Sequence, residues 1–199
     1  MSSLKILSKS RERAFKEVPK FSKPARNTLI AVNYKNLPII HKLKTDVNKL
    51  GFLMQWAYFG SRGMFFDSAK LQSRPKDIKK AHKELRLSKT LNLNDYAYET
   101  ALKHREMILD AYGWSKFTKD DEAILRSHAL IQVDHVKSKA EAFKALYDFC
   151  WESRIEIPGF NKLALIVHDS FLKYETQIMK RFDQNVTVCL LYTSPSPRD

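Results

Sequence analysis

Lys20, Lys23, Arg26, Asn27, Lys35, Lys42, Lys44 and Lys49 fall within thirty residues that hold a single acid, Asp46. Ammonium and guanidinium groups at that density neutralise phosphates without choosing a sequence. Arg26 and Asn27, side by side, are the residue types whose paired donors and acceptors read guanine and adenine edges. A second basic run, "PKDIKKAHKELRL" from Pro75 to Leu87, adds Lys76, Lys79, Lys80 and Lys83, and Arg62 sits in the turn "GSRG" between the two. The chemistry these residues can do is to bind a polyanion.

Other chemistries find little support. The six histidines, His41, His82, His104, His128, His135 and His168, show no H-x-x-x-H or H-E-x-x-H spacing of the kind that makes metal ligands. Cys150 stands alone in the apolar stretch "DFCWES" and reads as a buried thiol. Asp120, Asp121 and Glu122 resemble an acidic metal cluster. Three consecutive residues of a first helical turn point in different directions, however, and complement the helix dipole instead. The chain holds no glycine-rich phosphate loop and no serine nucleophile motif. No catalytic residue is expected, and no cofactor.

The elements that must position the basic residues are helices. Five Gly and 7 Pro in 199 residues leave few chain breakers, and hydrophobic residues at 44% supply a core. Ser22 with Pro24 in the next turn starts a short helix running to about Val32, and another starts near Leu37. A longer helix runs from Thr45 or Asp46 to about Phe59, with Val47, Leu50, Leu53, Met54 and Ala57 on its apolar face and "GSRG" (Gly60 to Gly63) as its stop. Trp56 and Tyr58 on this helix read as core rather than as base-stacking platforms. Pro75 opens a basic helix whose stripe is Ile78, Ala81, His82 and Leu85.

A long helix from Asn92 ends at Gly113, with Tyr98, Ala101, Leu102, Arg105, Ile108, Leu109 and Tyr112 sharing a face. Thr118 with Asp121, and Ser138 with Glu141, are capping-box starts. Pro158-Gly159 makes a turn before a last helix from about Asn161 to Phe182. The expectation is an all-α fold, an irregular array of about eight helices. Two short basic helices ahead of the long apolar one would make a helix-turn-helix-like DNA-binding element.

Charge is distributed unevenly. Residues 1–90 hold 21 Lys and Arg against 6 Asp and Glu, whereas residues 91–188 hold 13 against 15. The net charge of +13 therefore comes from the first half, the footprint of a surface that meets phosphates. The longest apolar run, Leu50 to Gly60, is too short to span a membrane and contains Gln55. The first residues lack the apolar core of a secretory signal. No membrane partner is expected.

Three stretches together resemble one family. "NKLGFLMQWAYFGSRGMFF" (Asn48 to Phe66), "DYAYETALKHREMILDAYGWSKFT" (Asp95 to Thr118) and "WESRIEIPGFNKLALIV" (Trp151 to Val167) are similar, in order and spacing, to the N-terminal region of TnpA transposases of the replicative, cointegrate-forming Tn-three-type transposons. The likeness spans roughly residues 45–185. It implies a bacterial, cytoplasmic and nucleoid-associated protein whose N-terminal helices bind the terminal inverted repeats as double-stranded DNA. It further implies self-association of the full-length protein and a distant RNase H-like domain holding Mg on an acidic triad. The rival readings are a helical protein-interaction or regulatory module of a recombination machine and an RNA-binding helical domain.

The expected organisation is a basic segment over 1–45, a helical DNA-binding domain over 46–158, and the truncated start of a further helical segment over 159–188. The last eleven residues, "CLLYTSPSPRD", have no periodicity. One choice of synonymous codons for them spells a tagmentation sequencing adapter read in frame. Residues 189–199 are therefore expected to be adapter-derived and unstructured, Cys189 to be no partner for Cys150, and Ser194 and Ser196 to be no regulatory sites.

Overall fold

Ten consecutive residues of one helix, Leu50 to Phe59 in α4 (Asp46–Arg62), are buried on every side, and much of the fold is arranged around them. The computed structural model describes residues 5–87 and 91–192, with side chains described as far as Asp183 in the last helix. Before α4 come α1 (Lys9–Lys16), α2 (Lys23–Leu29) and α3 (Leu37–Lys42). After it come α5 (Ser68–Gln72), α6 (Pro75–Glu84), a 3-10 turn over Leu93–Asp95, α7 (Tyr98–Tyr112), α8 (Lys119–Val133), α9 (Lys139–Glu152) and α10 (Phe160–Tyr192). The fold is all-α. Among the described residues the only extended pairing is an isolated bridge between Ser115 and Ile155.

The helix starts follow local chemistry. Ser22 accepts from the Ala25 amide at 3.3 Å, Thr45 from that of Asn48 at 3.3 Å, and Ser138 from that of Glu141 at 3.2 Å. At α8 the box closes both ways, because Asp121 accepts the Thr118 amide at 2.8 Å. At α9 it does not, because Glu141 reaches the Lys137 amide instead of the Ser138 amide. Gly63 and Gly113 end α4 and α7 in the left-handed conformation, at φ 65° and 68°.

The helices α2, α3, α6 and α7 all pack on α4, whereas α8, α9 and α10 pack on one another. Phe15 of α1 stands edge-on to Phe143 and Phe160 of the second group at 5.2 and 6.0 Å. Between the two groups, the Arg62 carbonyl of α4 accepts the Tyr147 hydroxyl of α9 at 3.2 Å. The Gly63 carbonyl accepts the Ile157 amide at 2.8 Å. Each Leu or Phe fully buried in such a core contributes about 1.5–3 kcal/mol. Sequence periodicity foresaw one apolar face on α4, but α4 is the central helix. Its buried polar group, Gln55, donates to the Phe66 carbonyl at 2.8 Å and pins the chain beyond Gly63.

Two expected faces shift. On α7 the buried residues are Ala101, His104, Ile108 and Leu109, while Tyr98 and Leu102 face solvent at 64% and 38% exposure. On α6 Ala81 is buried as the stripe required, and beside it lies buried Asp77, an acid that was not part of the expected stripe. The described residues hold more helices than expected: α5 was not foreseen, and Asn92–Gly113 divides into the 3-10 turn and a shorter α7. The backbone of α10 continues past Phe182 to Tyr192, through the first four residues of the tail. Ser194, Ser196 and the rest of the tail lie outside the described residues, as does the side chain of Cys189. Among the described residues no helix is long and apolar enough to cross a membrane.

Candidate nucleic-acid interface

The basic candidates separate into two groups. Arg26, Lys49 and Lys80 are neutralised within the protein. Lys49 pairs with Asp46 at 3.1 Å and Lys80 with Glu84 at 2.6 Å, each about one helical turn away. Arg26 is the larger departure. Its Nε–H donates to Oδ1 of Asp77 and its Nη2 donates to the Phe21 carbonyl at 2.9 Å. Asp77 is only 2% exposed, and its other oxygen accepts the Tyr58 hydroxyl at 2.5 Å. Burial and the bond to Asp77 push the Tyr58 phenol well above its ordinary range. Arg26 is thus a strut between α2 and α6, and its guanidinium is not available to read a guanine edge.

The second group is free. Lys20, Lys23, Lys35, Lys42, Lys44, Lys76, Lys79 and Lys83 are exposed, and none takes part in an ion pair among the described residues. Lys35 leans over the Tyr34 ring at 5.9 Å, and Tyr34 itself is 81% exposed. Lys76, Lys79 and Lys83, at spacings of three and four, form one outward row on α6, about 10 Å long at 1.5 Å per residue. Asn27 is also exposed. Arg62 is half-buried at the end of α4, and its carbonyl accepts the Tyr147 hydroxyl at 3.2 Å. It is no part of the lysine row.

The helix-turn-helix expectation narrows in consequence. A helix buried along ten residues cannot enter a groove, so α4 is scaffold. Trp56 and Tyr58, at 3% and 0% exposure, are likewise scaffold. The Arg26–Asp77 strut packs α2 on α6 and brings two basic segments, distant in sequence, side by side. Sequence reasoning missed Asp77 and also Arg74, whose guanidinium Nε donates to the Val18 carbonyl at 3.1 Å. One signal was present for Asp77: it lies four residues before Ala81, on the same side of the helix.

The acidic run after Thr118 is structural. Asp121 caps α8, and Glu122 lies between Arg126 at 2.9 Å and Lys162 at 2.7 Å. Hydrogen bonds from Lys162 and then Arg126 hold the Glu122 carboxyl below its ordinary range. These acids face different partners, so the set does not suit a metal pair. Among the described residues no group of three His, Cys, Asp or Glu side chains could hold a metal ion. Cys150 is a buried free thiol, pushed up to about 12 by burial. His104 is also buried, its Nδ1 2.7 Å from the Tyr96 hydroxyl, and burial lowers it to about 4.

The profile of one protein family, described as a domain of unknown function (DUF4158), matches residues 6–169 of this chain. The matched span contains α1 to α9 and the first turns of α10. No curated protein matches the chain.

Proposed function

This chain belongs to the DUF4158 family, and from that premise we propose that it is the DNA-binding N-terminal region of a replicative transposase of Tn-three type. Domains of this family occur in such transposases, and the three stretches around Leu50, Ile108 and Ile157 resemble them. The observation that carries DNA binding is the set of eight exposed lysines without ion pairs in the first half of the chain. Each can displace a condensed counterion from a phosphate, and no acid among the described residues must first be released.

On this reading α2, α3 and α6 present lysines to the duplex of a transposon end, and α4 holds them at fixed separations. Asn27 is exposed and keeps the side chain suited to an adenine edge, while the guanine-reading role first given to Arg26 falls away. Strand transfer, and the Mg it requires, belong to a separate catalytic domain of the full-length protein. The test is fluorescence anisotropy with a duplex carrying the terminal repeat and with a scrambled duplex. Tighter binding to the repeat supports end recognition. Equal binding leaves a general DNA surface, and no binding to either removes the proposal.

A second reading, a protein-interaction module, is favoured by one observation. Ile124 and Ile131 on α8 are 50% and 61% exposed beside His128 and Phe149. Reversing Lys76, Lys79 and Lys83 to Glu separates the two readings. DNA affinity collapses under the first and is untouched under the second.

A further inference from the structure

We propose that the half-open cavity between the Lys20–Arg26 segment and the start of α6 is a phosphate pocket that takes in one backbone phosphodiester of bound DNA. The inference rests on the DNA-binding reading and deepens it by naming a site. The cavity measures about 400 Å³, and Lys20, Arg26, Arg74 and Lys76 line it against a single carboxylate, Asp77.

That carboxylate is already satisfied. Both oxygens of Asp77 are engaged, one by Arg26 and one by Tyr58, so its charge does not compensate the remaining cations. Arg74 is held by the Val18 carbonyl, a neutral acceptor that fixes the guanidinium without cancelling its charge. Lys20 and Lys76 are exposed and make no ion pair among the described residues. Another acid, Glu17, bonds Arg13 at 2.7 Å. That bond, and then the charges of Arg74 and Lys20, hold its carboxyl below the ordinary range.

Three cations without an ion pair among the described residues therefore converge on one concavity from chain positions more than fifty residues apart, and Glu17, the acid acting on two of them, is itself bonded to Arg13. Like charges held this way raise a local potential that draws in an anion. Several features point to a phosphodiester. The two lysines can approach an oxyanion from separate sides, the guanidinium fork of Arg74 is held in a fixed orientation, and Phe21 and Pro75 give the wall an apolar part against which a sugar can rest.

The test compares two double variants of the full chain with equal loss of charge. Lys20→Gln with Lys76→Gln empties the pocket of its free amines. Lys103→Gln with Lys119→Gln removes two exposed lysines outside it. All four positions are exposed, and circular dichroism checks that both variants stay folded. In duplex binding across salt, the pocket pair is expected to flatten the slope of log K against log salt by about 0.9, one phosphate contact, and the other pair to leave it unchanged. Equal slopes for the two variants overturn the pocket and leave DNA binding standing.

If the unmodified chain binds no duplex, the DNA reading falls and inorganic phosphate decides the pocket alone. Amide shifts confined to residues 20–26 and 73–77, and lost in the pocket pair, support an oxyanion site that takes free phosphate. No shifts, or shifts spread over every lysine, overturn it.

Discussion

Arg26 donates its Nε–H to the Oδ1 of Asp77 across 51 residues of chain, and Tyr58 closes on the other carboxylate oxygen at 2.5 Å. The pair determines how the basic half of this protein is built. It joins α2 to α6, and it withdraws one guanidinium from the exposed basic face while fixing the two segments that carry the lysines around it.

Removing the acceptor tests that role. Asp77→Ala leaves Arg26 without its carboxylate and Tyr58 without its acceptor, both in a poorly solvated site. The expected loss in unfolding free energy is about 3–5 kcal/mol, the usual cost of orphaning a buried charge. Urea denaturation measures it. A loss below about 1 kcal/mol would show that the strut is dispensable.

His104 makes stability depend on pH. Its folded pKa, lowered to about 4 by burial, lies below the unfolded value near 6.5. The unfolded chain therefore binds the extra proton, and stability present above pH 6.5 is lost as pH falls toward 4. The loss from this group is about 3 kcal/mol, taking roughly 1.4 kcal/mol per pKa unit. Carboxylates such as Glu122 also lose stability in acid, so the difference from His104→Gln isolates the imidazole. Between pH 7 and 4 the variant should lose about 3 kcal/mol less than the unmodified protein.

How much of this was legible in the sequence depends on range. The caps at Ser22, Thr45, Thr118 and Ser138 and the stops at Gly63 and Gly113 were readable, because each is set by residues within one turn. The burial of Asp77 was not, because its partners Arg26 and Tyr58 are 51 and 19 residues away. The full burial of α4 had a signal that periodicity discards: no charged residue lies between Leu50 and Gly60. On α7 the exposed Tyr98 and Leu102 pulled the expected face away from His104, whose burial depends on the Tyr96 hydroxyl and the Phe52 ring. The lysines were legible as a charge run. Which of them are free was not, since that depends on where each acid points.

Gly63 should tolerate no side chain. Its φ of 65° disfavours any L residue, and a Cβ there would lie 2.8 Å from the Trp114 ring and 2.9 Å from Ile157. Its carbonyl also accepts the Ile157 amide that joins the two helical groups. Gly63→Ala is expected to cost about 1–3 kcal/mol, read as a lowered midpoint in thermal unfolding. An unchanged midpoint would mean that the seam between Gly63 and Ile157 yields freely.

The most direct measurement of the central claim is the salt dependence of duplex affinity, made on the unmodified chain and on the variant with Lys76, Lys79 and Lys83 reversed to Glu. The expected result for the unmodified chain is a slope of log K against log salt of about −4 or steeper, four or more phosphates at roughly 0.9 each. The variant should bind far more weakly, with a flatter slope. Affinity that is insensitive to salt, or equal in the two proteins, would contradict the account.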